Sequence, residues 1–141
     1  MKNSNSKVKN ILGIVITIIA IGFSLFIVFN GSKEAEITID ETTNTLEVSD
    51  GLYSQTIIID NEVTVTMISP LEITRKTNGS SVKNVKKGFF IIEGDLAVYL
   101  NLGDSTHDWI EIIDGEDYYY INLKSTLETT QIYNQLQNLF N

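Results

Sequence analysis

The sequence ILGIVITIIAIGFSLFIVF fills residues 11–29 and contains no charged side chain. A helix that rises about 1.5 Å per residue covers roughly 28 Å over this length, close to the hydrocarbon thickness of a bilayer. The stretch therefore predicts one transmembrane helix over residues 11–29. The alternative is the core of a cleaved signal peptide. Against it, the apolar run is longer than such a core, and no A-x-A cleavage site follows.

Charge is divided unevenly on the two sides of this stretch. Residues 1–10 form a basic tail with Lys2, Lys7 and Lys9 and no acid, whereas seven basic and all eighteen acidic residues follow residue 29. The positive-inside rule therefore predicts a cytoplasmic N-terminus and a C-terminal domain outside the membrane. That domain carries a net charge near −11, which argues against nucleic acid as a partner.

The chain after the apolar stretch divides into a short polar linker, residues 30–35, and one domain, residues 36–141. From residue 36 apolar and polar side chains alternate in short runs separated by turn residues, a pattern typical of half-buried antiparallel strands. Asp114-Gly115 is the strongest hairpin signal. Residues 74–87 are polar, contain Asn78-Gly79, and are interpreted as a long loop. About eight strands are expected.

The last segment changes to a helical period. Ser125-Thr-Leu-Glu128 fits a capping box, in which the serine and glutamate side chains satisfy free amides at a helix start. Ile132, Tyr133 and Leu136 then fall on one face at spacings of three and four residues. The sequence therefore predicts an amphipathic helix at the C-terminus of a mainly β domain.

Several short motifs resemble the bacterial PH domain family, over residues 45–140. They are LEV at 46–48 with GLY at 51–53, RKTNG at 75–79, KGFF at 87–90, YYIN at 119–122, ET at 128–129 and YNQL at 133–136. The resemblance implies a PH-like antiparallel barrel or sandwich of about eight strands, capped by a C-terminal helix. Members often combine one such module with a membrane segment and have no assigned chemistry. The early turns here are acidic or neutral, so the resemblance does not imply binding of inositol lipids.

One basic segment stands out in the acidic domain and is the candidate ligand site. Its cations lie within thirteen residues, beside glycines whose backbone amides can meet an anion; they are Arg75, Lys76, Lys83, Lys86 and Lys87. The functional interpretation is a docking patch for an anionic envelope polymer, a lipid headgroup or an acidic protein. The alternative is a solvated loop with charged strand edges that discourage edge-to-edge pairing.

A second candidate surface is aromatic. Trp109 is out of phase with the apolar Ile110 and Ile112, so a partly exposed position is expected for it. Together with Tyr118 and Tyr120 it is a candidate partner contact, because exposed aromatic side chains often anchor interfaces. Core packing of these side chains is the alternative with equal weight.

The residue inventory argues against catalysis and against a cofactor. The chain has no cysteine and a single histidine, His107, and contains no nucleophile elbow, phosphate loop, dinucleotide fingerprint or zinc motif. His107 lies near Asp104 and Asp108, but their spacing matches no calcium loop and offers too few nitrogen ligands for zinc. No enzyme activity, cofactor or metal site is predicted.

The sequence thus favours a non-catalytic, membrane-anchored binding module displayed outside the bacterial cytoplasmic membrane. Its partners would be the bilayer, through residues 11–29, and an unknown protein or anionic envelope ligand. The alternative is an accessory or scaffold subunit that assembles through its transmembrane helix. Small residues such as Gly13, Thr17, Ala20 and Ser24 would permit such helix packing.

Overall fold

The computed structural model describes the backbone of residues 4–31 and 33–140, and the side chains of residues 11–26, 29 and 33–140. Lys2 and Ser32, which belong to the predicted tail and linker, lie outside the described residues, as do the side chains of Lys7 and Lys9. The chain divides into two units, Met1–Asn30 and Gly31–Asn141.

The first unit is built on one helix, α1, Ser4–Gly31. It extends beyond the predicted residues 11–29 at both ends and covers most of the tail. Every side chain described in it is exposed, including the large apolar ones such as Ile11, Leu25 and Phe29. Within the described residues, no helix was found that combines the length and the apolar character needed to cross a membrane.

The second unit is mainly β, as predicted. Its elements are β1 Glu36–Asp40, β2 Thr45–Ser49, β3 Ser54–Ile58, β4 Thr64–Ile68, β5 Ile73–Val82, β6 Val85–Ile92, β7 Leu96–Leu102, β8 Trp109–Asp114, β9 Asp117–Asn122 and the helix α2 Thr126–Asn138. A single 3-10 turn, Glu93–Asp95, separates β6 from β7. Nine strands are therefore present in the described residues instead of about eight.

The strands form two open sheets and not one closed barrel. The three-stranded sheet has the order β1-β2-β3 and is antiparallel throughout. The six-stranded sheet has the order β4-β8-β9-β7-β6-β5, in which β7 and β9 pair in parallel and every other pair is antiparallel. The parallel pair departs from the antiparallel pairing that the sequence predicted throughout.

The six-stranded sheet is strongly curled. Its edge strands β4 and β5 are joined by only four residues, 69–72. In a flat sheet five strand spacings would separate these edges by roughly 24 Å, whereas the five Cα steps from Ile68 to Ile73 span at most about 18 Å. Ile68 and Ile73 also pack on the same buried cluster. The two edges must therefore bend towards each other.

Each face of this sheet covers its own core. The concave core lies inside the curl and consists of Phe90, Ile92, Val98, Leu100, Leu102, Trp109 and Tyr120. On the convex face, the three-stranded sheet and α2 cover the strands near β4. That convex core contains Leu46, Val48, Ile57, Ile59, Val63, Val65, Ile110, Ile112, Ile121 and Leu136. On the convex face of β6 and β7, Lys87, Tyr99 and Asn101 are buried, whereas Phe89 and Ala97 are exposed.

Helix α2 closes one edge of the convex core. Its N-cap is Ser125, whose hydroxyl accepts a bond from Glu128 N as the capping box predicts. Thr129 Oγ1 accepts from Leu123 N at 3.0 Å, which ties the helix start to the end of β9. Leu136 is fully buried, and Gln137 Nε2 donates to Val65 O of β4 at 2.8 Å.

The predicted long loop over residues 74–87 is wrong. These residues form most of the β5–β6 hairpin, and the chain reverses at Lys83 and Asn84, not at Asn78-Gly79. Gly79 instead pairs with Gly88 across the two strands. A Cβ on either glycine would overlap a carbonyl oxygen of the opposite strand, so the close approach of β5 to β6 at this point requires glycine.

Candidate functional site

A cavity of about 580 Å³ opens on the convex face of β6, β7 and β9, and we call it the aromatic groove. Alternation along the strands brings Phe89, Tyr99 and Tyr119 to this face, whereas Phe90, Val98 and Tyr118, which also line the cavity, pack in the concave cluster. Strands β3 and β5 form the sides of the groove. The lining residues are Gln55, Thr77, Asn78, Phe89, Phe90, Ile91, Ala97, Val98, Tyr99, Asp117, Tyr118 and Tyr119.

Three aromatic rings run across the floor of the groove. Phe89, Tyr99 and Tyr119 are direct neighbours on β6, β7 and β9. The Phe89 and Tyr99 ring centroids are 5.6 Å apart with an interplanar angle of 68°, and those of Tyr99 and Tyr119 are 6.2 Å apart at 60°. Edge-to-face pairs of this kind hold the rings in fixed positions.

Phe89 is the exposed end of this row. Its side chain is 43% exposed, whereas Tyr99 in the middle is 3% exposed. Ala97, on the same face, is also exposed, and Ile91 is half-buried. An exposed phenylalanine beside these apolar neighbours gives the groove an apolar contact surface of the kind that commonly marks a binding site.

Polar groups on the walls complement the aromatic floor. Gln55 and Asn78 bring amide groups from β3 and β5, and Asp117 brings a carboxylate from β9. No lysine or arginine is among the residues that line the groove. The arrangement can hold an apolar group on the rings and satisfy hydrogen-bonding groups around it, with a preference for neutral or cationic ligands over anions.

A buried polar cluster lies next to the groove on the same face of the sheet. Lys87 Nζ is 3.7 Å from Asp50 Oδ2, and both side chains are sealed from solvent. Lys87 also donates to the backbone carbonyl of Lys33. Asn101, beside Lys87 on β7, donates from Nδ2 to the Tyr99 hydroxyl at 3.3 Å. Tyr99 therefore connects the cluster to the groove floor.

Burial shifts the ionisation of two members of this cluster. Desolvation lowers the pKa of the Lys87 ammonium below its usual value, and the opposing charge of Asp50 raises it in part. Desolvation also raises the pKa of the Tyr99 phenol to about 12, with the hydrogen bond from Asn101 acting in the opposite direction. Tyr99 is therefore a neutral phenol at physiological pH, which suits an apolar groove floor.

The structure separates the cations of the predicted basic patch. Lys87 is buried and paired, so it presents no charge to a ligand. Lys83 is at the turn of the β5–β6 hairpin, where its backbone carbonyl accepts a bond from Lys86 Nζ. Arg75 and Lys76 lie roughly 25 Å from this turn along β5, at about 3.3 Å per residue. The five cations do not form one surface.

The predicted aromatic contact is also mostly buried. Trp109 and Tyr120 are each 1% exposed, with their ring centroids 5.7 Å apart in the concave core. The indole N–H of Trp109 donates to Ser105 O, and the hydroxyl of Tyr120 donates to Glu111 Oε1. Trp109 and Ile110 lie on opposite faces of β8, and both are buried because each face is covered by its own core. Tyr118 is half-buried and lines the groove.

The carboxylates around His107 serve the local turn. Asp104 Oδ1 accepts bonds from Thr106 N and Thr106 Oγ1, and Asp104 Oδ2 is 3.9 Å from His107 Nε2. The bonds from Thr106 hold the pKa of the Asp104 carboxyl below its usual value. In the part of the chain that the structure describes, no three His, Asp or Glu side chains are grouped as a metal site.

Sequence reasoning missed the residues that form the groove floor. Phe89 lies in the run GFFII at 88–92, whose consecutive apolar residues indicate no exposed face, and Tyr119 is one of three consecutive tyrosines. Period-two alternation places Phe89, Tyr99 and Tyr119 each on a defined face. Only the strand order, with β9 beside β7, shows that the three rings are neighbours.

No protein-family model, characterised protein or solved structure matches the chain. The ligand preference of the groove is therefore inferred from its lining residues.

Proposed function

We propose that the chain is a non-catalytic binding module, anchored in the bacterial cytoplasmic membrane by α1 and displaying its β domain outside. The observation that carries the proposal is the aromatic groove, in which Phe89 is the exposed end of a row of three packed aromatic rings. The ligand contacts this row and the polar walls provided by Gln55, Asn78 and Asp117. The PH-like resemblance of residues 45–140 is consistent with a module of this kind, in which loops and sheet surfaces bind ligands and no chemistry is performed.

Three observations support the membrane anchor. The sequence of residues 11–29 is uncharged and apolar, and the described side chains in it are all exposed. Its two hydroxyl groups are satisfied within the helix, because Thr17 Oγ1 donates to Gly13 O at 2.9 Å and Ser24 Oγ donates to Ala20 O at 2.8 Å. A helix that satisfies its own polar groups and exposes apolar side chains suits a hydrocarbon environment.

The topology is tested with a single cysteine, since the chain has none. Thr42 is exposed in the β1–β2 turn, so a Thr42→Cys variant offers an accessible thiol. We expect a membrane-impermeant maleimide to label this variant in intact cells. Labelling only after lysis would place the domain in the cytoplasm and overturn this part of the proposal. The unmodified chain is the control.

The groove is tested separately with a photo-crosslinking amino acid at Phe89. The control position is Leu127, which is 69% exposed on α2 and does not line the groove. We expect adducts at position 89 and not at position 127 in intact cells that express the chain. Equal yields at both positions would show that the groove has no preferred ligand.

The second candidate is a scaffold subunit that assembles through α1. The bonds of Thr17 and Ser24 to the helix backbone leave both side chains compact, and Gly13 and Ala20 lie one turn before them. Small residues at this spacing allow close helix packing in a bilayer. Replacing residues 11–29 with an unrelated apolar helix separates the candidates, because groove binding survives the exchange and assembly through α1 does not.

A further inference from the structure

The two sheets have four edge strands, and three of them are protected against pairing with another chain. Strand β4 is covered by α2, whose Gln137 donates to the carbonyl of Val65. Strand β5 carries the exposed cations Arg75 and Lys76 and two register irregularities. Strand β1 begins and ends with the exposed acids Glu36 and Asp40. Charges, bulges and covering elements are the usual protections of sheet edges.

Strand β3 has none of these protections. Its sequence, SQTII, contains no charge and no proline, and its pairing with β2 shows no irregularity. Ile58 at its end is 63% exposed. Among the described strands β3 pairs only with β2, so its other edge is open.

The hydrogen bonds at the two ends of the β2–β3 ladder fix the direction of its backbone groups. At one end Asp50 N donates to Tyr53 O at 3.1 Å, and at the other Ile59 N donates to Asn44 O at 2.7 Å. Bonded and non-bonded pairs alternate along an antiparallel ladder. Counted from either end, the pairs Val48–Gln55 and Leu46–Ile57 are hydrogen-bonded, and the pairs that alternate with them are not.

In that assignment Gln55 and Ile57 bond to β2, whereas Ser54, Thr56 and Ile58 direct their N–H and C=O groups away from it. The open edge thus presents three amide donors and three carbonyl acceptors in an extended row. This is the template that an added strand requires.

The open edge borders the aromatic groove, because Gln55 of β3 lines it. A strand added to β3 would extend the three-stranded sheet over the convex face of β7 and β6. Its inward side chains would reach the ring of Phe89, and its outward side chains would lie beside Ile58. The groove and the edge therefore form one surface, with backbone bonds on one side and an apolar contact on the other.

Charge decides between the possible occupants. Glu47 is opposite Thr56 on β2, Asp60 follows β3, and Asp117 lines the groove. None of these three carboxylates belongs to the ion pairs Lys87–Asp50 and His107–Asp104. A second copy of this domain, with its own charge near −11, would be repelled. A basic segment would be attracted, and a neutral segment would meet no repulsion.

We propose that β3 is the docking edge for an extended, neutral-to-basic segment of a partner protein, which adds a fourth strand to the three-stranded sheet and places an apolar side chain on Phe89. The proposal rests on the proposed function and specifies its partner class. Main-chain bonds to Ser54, Thr56 and Ile58 would supply affinity, and the groove would supply selectivity.

The test uses the full chain in lipid nanodiscs and a display library of random peptides about twelve residues long, enough to form one strand. Peptides enriched over empty nanodiscs are measured against Thr56→Pro and its matched control Thr56→Val. Proline removes the outward N–H of residue 56 and leaves the bonds to β2 intact, whereas valine keeps that N–H. We expect neutral or basic peptides, about tenfold weaker binding to Thr56→Pro, and binding within about twofold for Thr56→Val.

Hydrogen exchange on the unmodified chain gives a second readout that does not depend on folding of the proline variant. Added peptide should slow exchange at the amides of Ser54, Thr56 and Ile58 and leave Gln55 and Ile57 unchanged. Slowed exchange at those outward amides without peptide, together with a dimer in sedimentation, would mean that a second copy occupies the edge and would overturn the proposal.

The remaining outcomes separate this inference from the proposed function. Equal binding to both Thr56 variants, with loss of binding in Phe89→Asp, would overturn strand addition and keep the groove as the binding site. Failure to enrich any peptide would overturn a peptide partner, while crosslinking at position 89 would still report a groove ligand. Labelling of Thr42→Cys reports the topology independently of both.

Discussion

Lys87 of β6 and Asp50 after β2 form an ion pair that joins the two sheets, with 3.7 Å between Nζ and Oδ2 and neither side chain open to solvent. The other oxygen of Asp50 accepts bonds from the backbone N–H groups of Leu52 and Tyr53, both at 2.9 Å. The carboxylate therefore shapes the β2–β3 turn at the same time as it neutralises Lys87. The pair therefore ties the β2–β3 turn to β6 beside the aromatic groove.

Replacing one member of this ion pair should lower the free energy of unfolding more than expected from the loss on replacing both. We expect Asp50→Asn or Lys87→Met alone to lower the free energy of unfolding by about 3–5 kcal/mol, because each leaves one buried charge without its partner. The double variant should lose clearly less than the sum of the two. Denaturant unfolding monitored by Trp109 fluorescence measures the four forms of this cycle. Additive losses would show that the two charges do not interact.

Ionisation of Tyr99 should lower stability at alkaline pH. Its pKa is raised from 10.0 to about 12, so between these values the unfolded chain releases the phenol proton while the folded chain keeps it. The folded state binds more protons in this window. The contribution of Tyr99 to the free energy of unfolding is therefore fully present below pH 10 and is lost as the pH rises through 12. A shift of this size corresponds to up to about 3 kcal/mol.

The measurement is the unfolding free energy of the unmodified chain and of Tyr99→Phe across that window. Phenylalanine removes the titrating group, so its pH profile should be flatter above pH 10. The other five tyrosines remain in both proteins and serve as an internal control. Parallel profiles for the two proteins would contradict the burial of the Tyr99 phenol.

The Gly79–Gly88 pair should not tolerate side chains. Gly88 has a φ of +105°, and a Cβ at either position would overlap the backbone of the opposite strand. We expect Gly79→Ala and Gly88→Ala each to cost more than about 2 kcal/mol, from overlap and backbone strain together. Gly94→Ala is the matched control, because its φ of +79° is strained while no atom lies within 4 Å. Thermal unfolding should rank the control as the mildest change.

The elements that follow from local chemistry could be predicted. The capping box at Ser125, the alternation of the strands and the Asp114-Gly115 hairpin depend on residues close together in sequence. The structure confirms a hairpin between β8 and β9 and a helix that begins after Ser125.

The features that depend on strand order could not be predicted. Residues 74–82 look like a loop because an edge strand is polar on both faces, and Asn78-Gly79 looks like a turn because the sequence does not reveal that Gly79 faces Gly88. Lys87 looks like a surface cation because its partner Asp50 is on the other sheet. Pairing of this kind joins residues far apart in sequence, and alternation alone carries no information about it.

Burial of Trp109 gives a direct optical test of the concave core. The indole is 1% exposed and packs against Tyr120, and it is the only tryptophan in the chain. We expect blue-shifted emission that a soluble quencher such as iodide barely reduces, and a red shift with full quenching on unfolding. Trp109→Ala should destabilise the domain by about 3–5 kcal/mol. Emission typical of an exposed indole in the folded chain would contradict this burial and support the partly exposed position that the sequence indicated.

The open edge of β3 should be visible in the chain without any partner. In native-state hydrogen exchange the amides of Gln55 and Ile57 bond to β2, whereas those of Ser54, Thr56 and Ile58 point away from it. We therefore expect exchange rates to alternate along β3, fast at residues 54, 56 and 58 and slow at 55 and 57.

Strand β2 is the internal control for this alternation, because both of its neighbours bond to it and all its amides should exchange slowly. Thr56→Val should reproduce the alternation, since it changes only an exposed side chain. Uniformly slow exchange along β3 would mean that its outer edge is already covered, and an edge in that state has no donors to offer a docking strand.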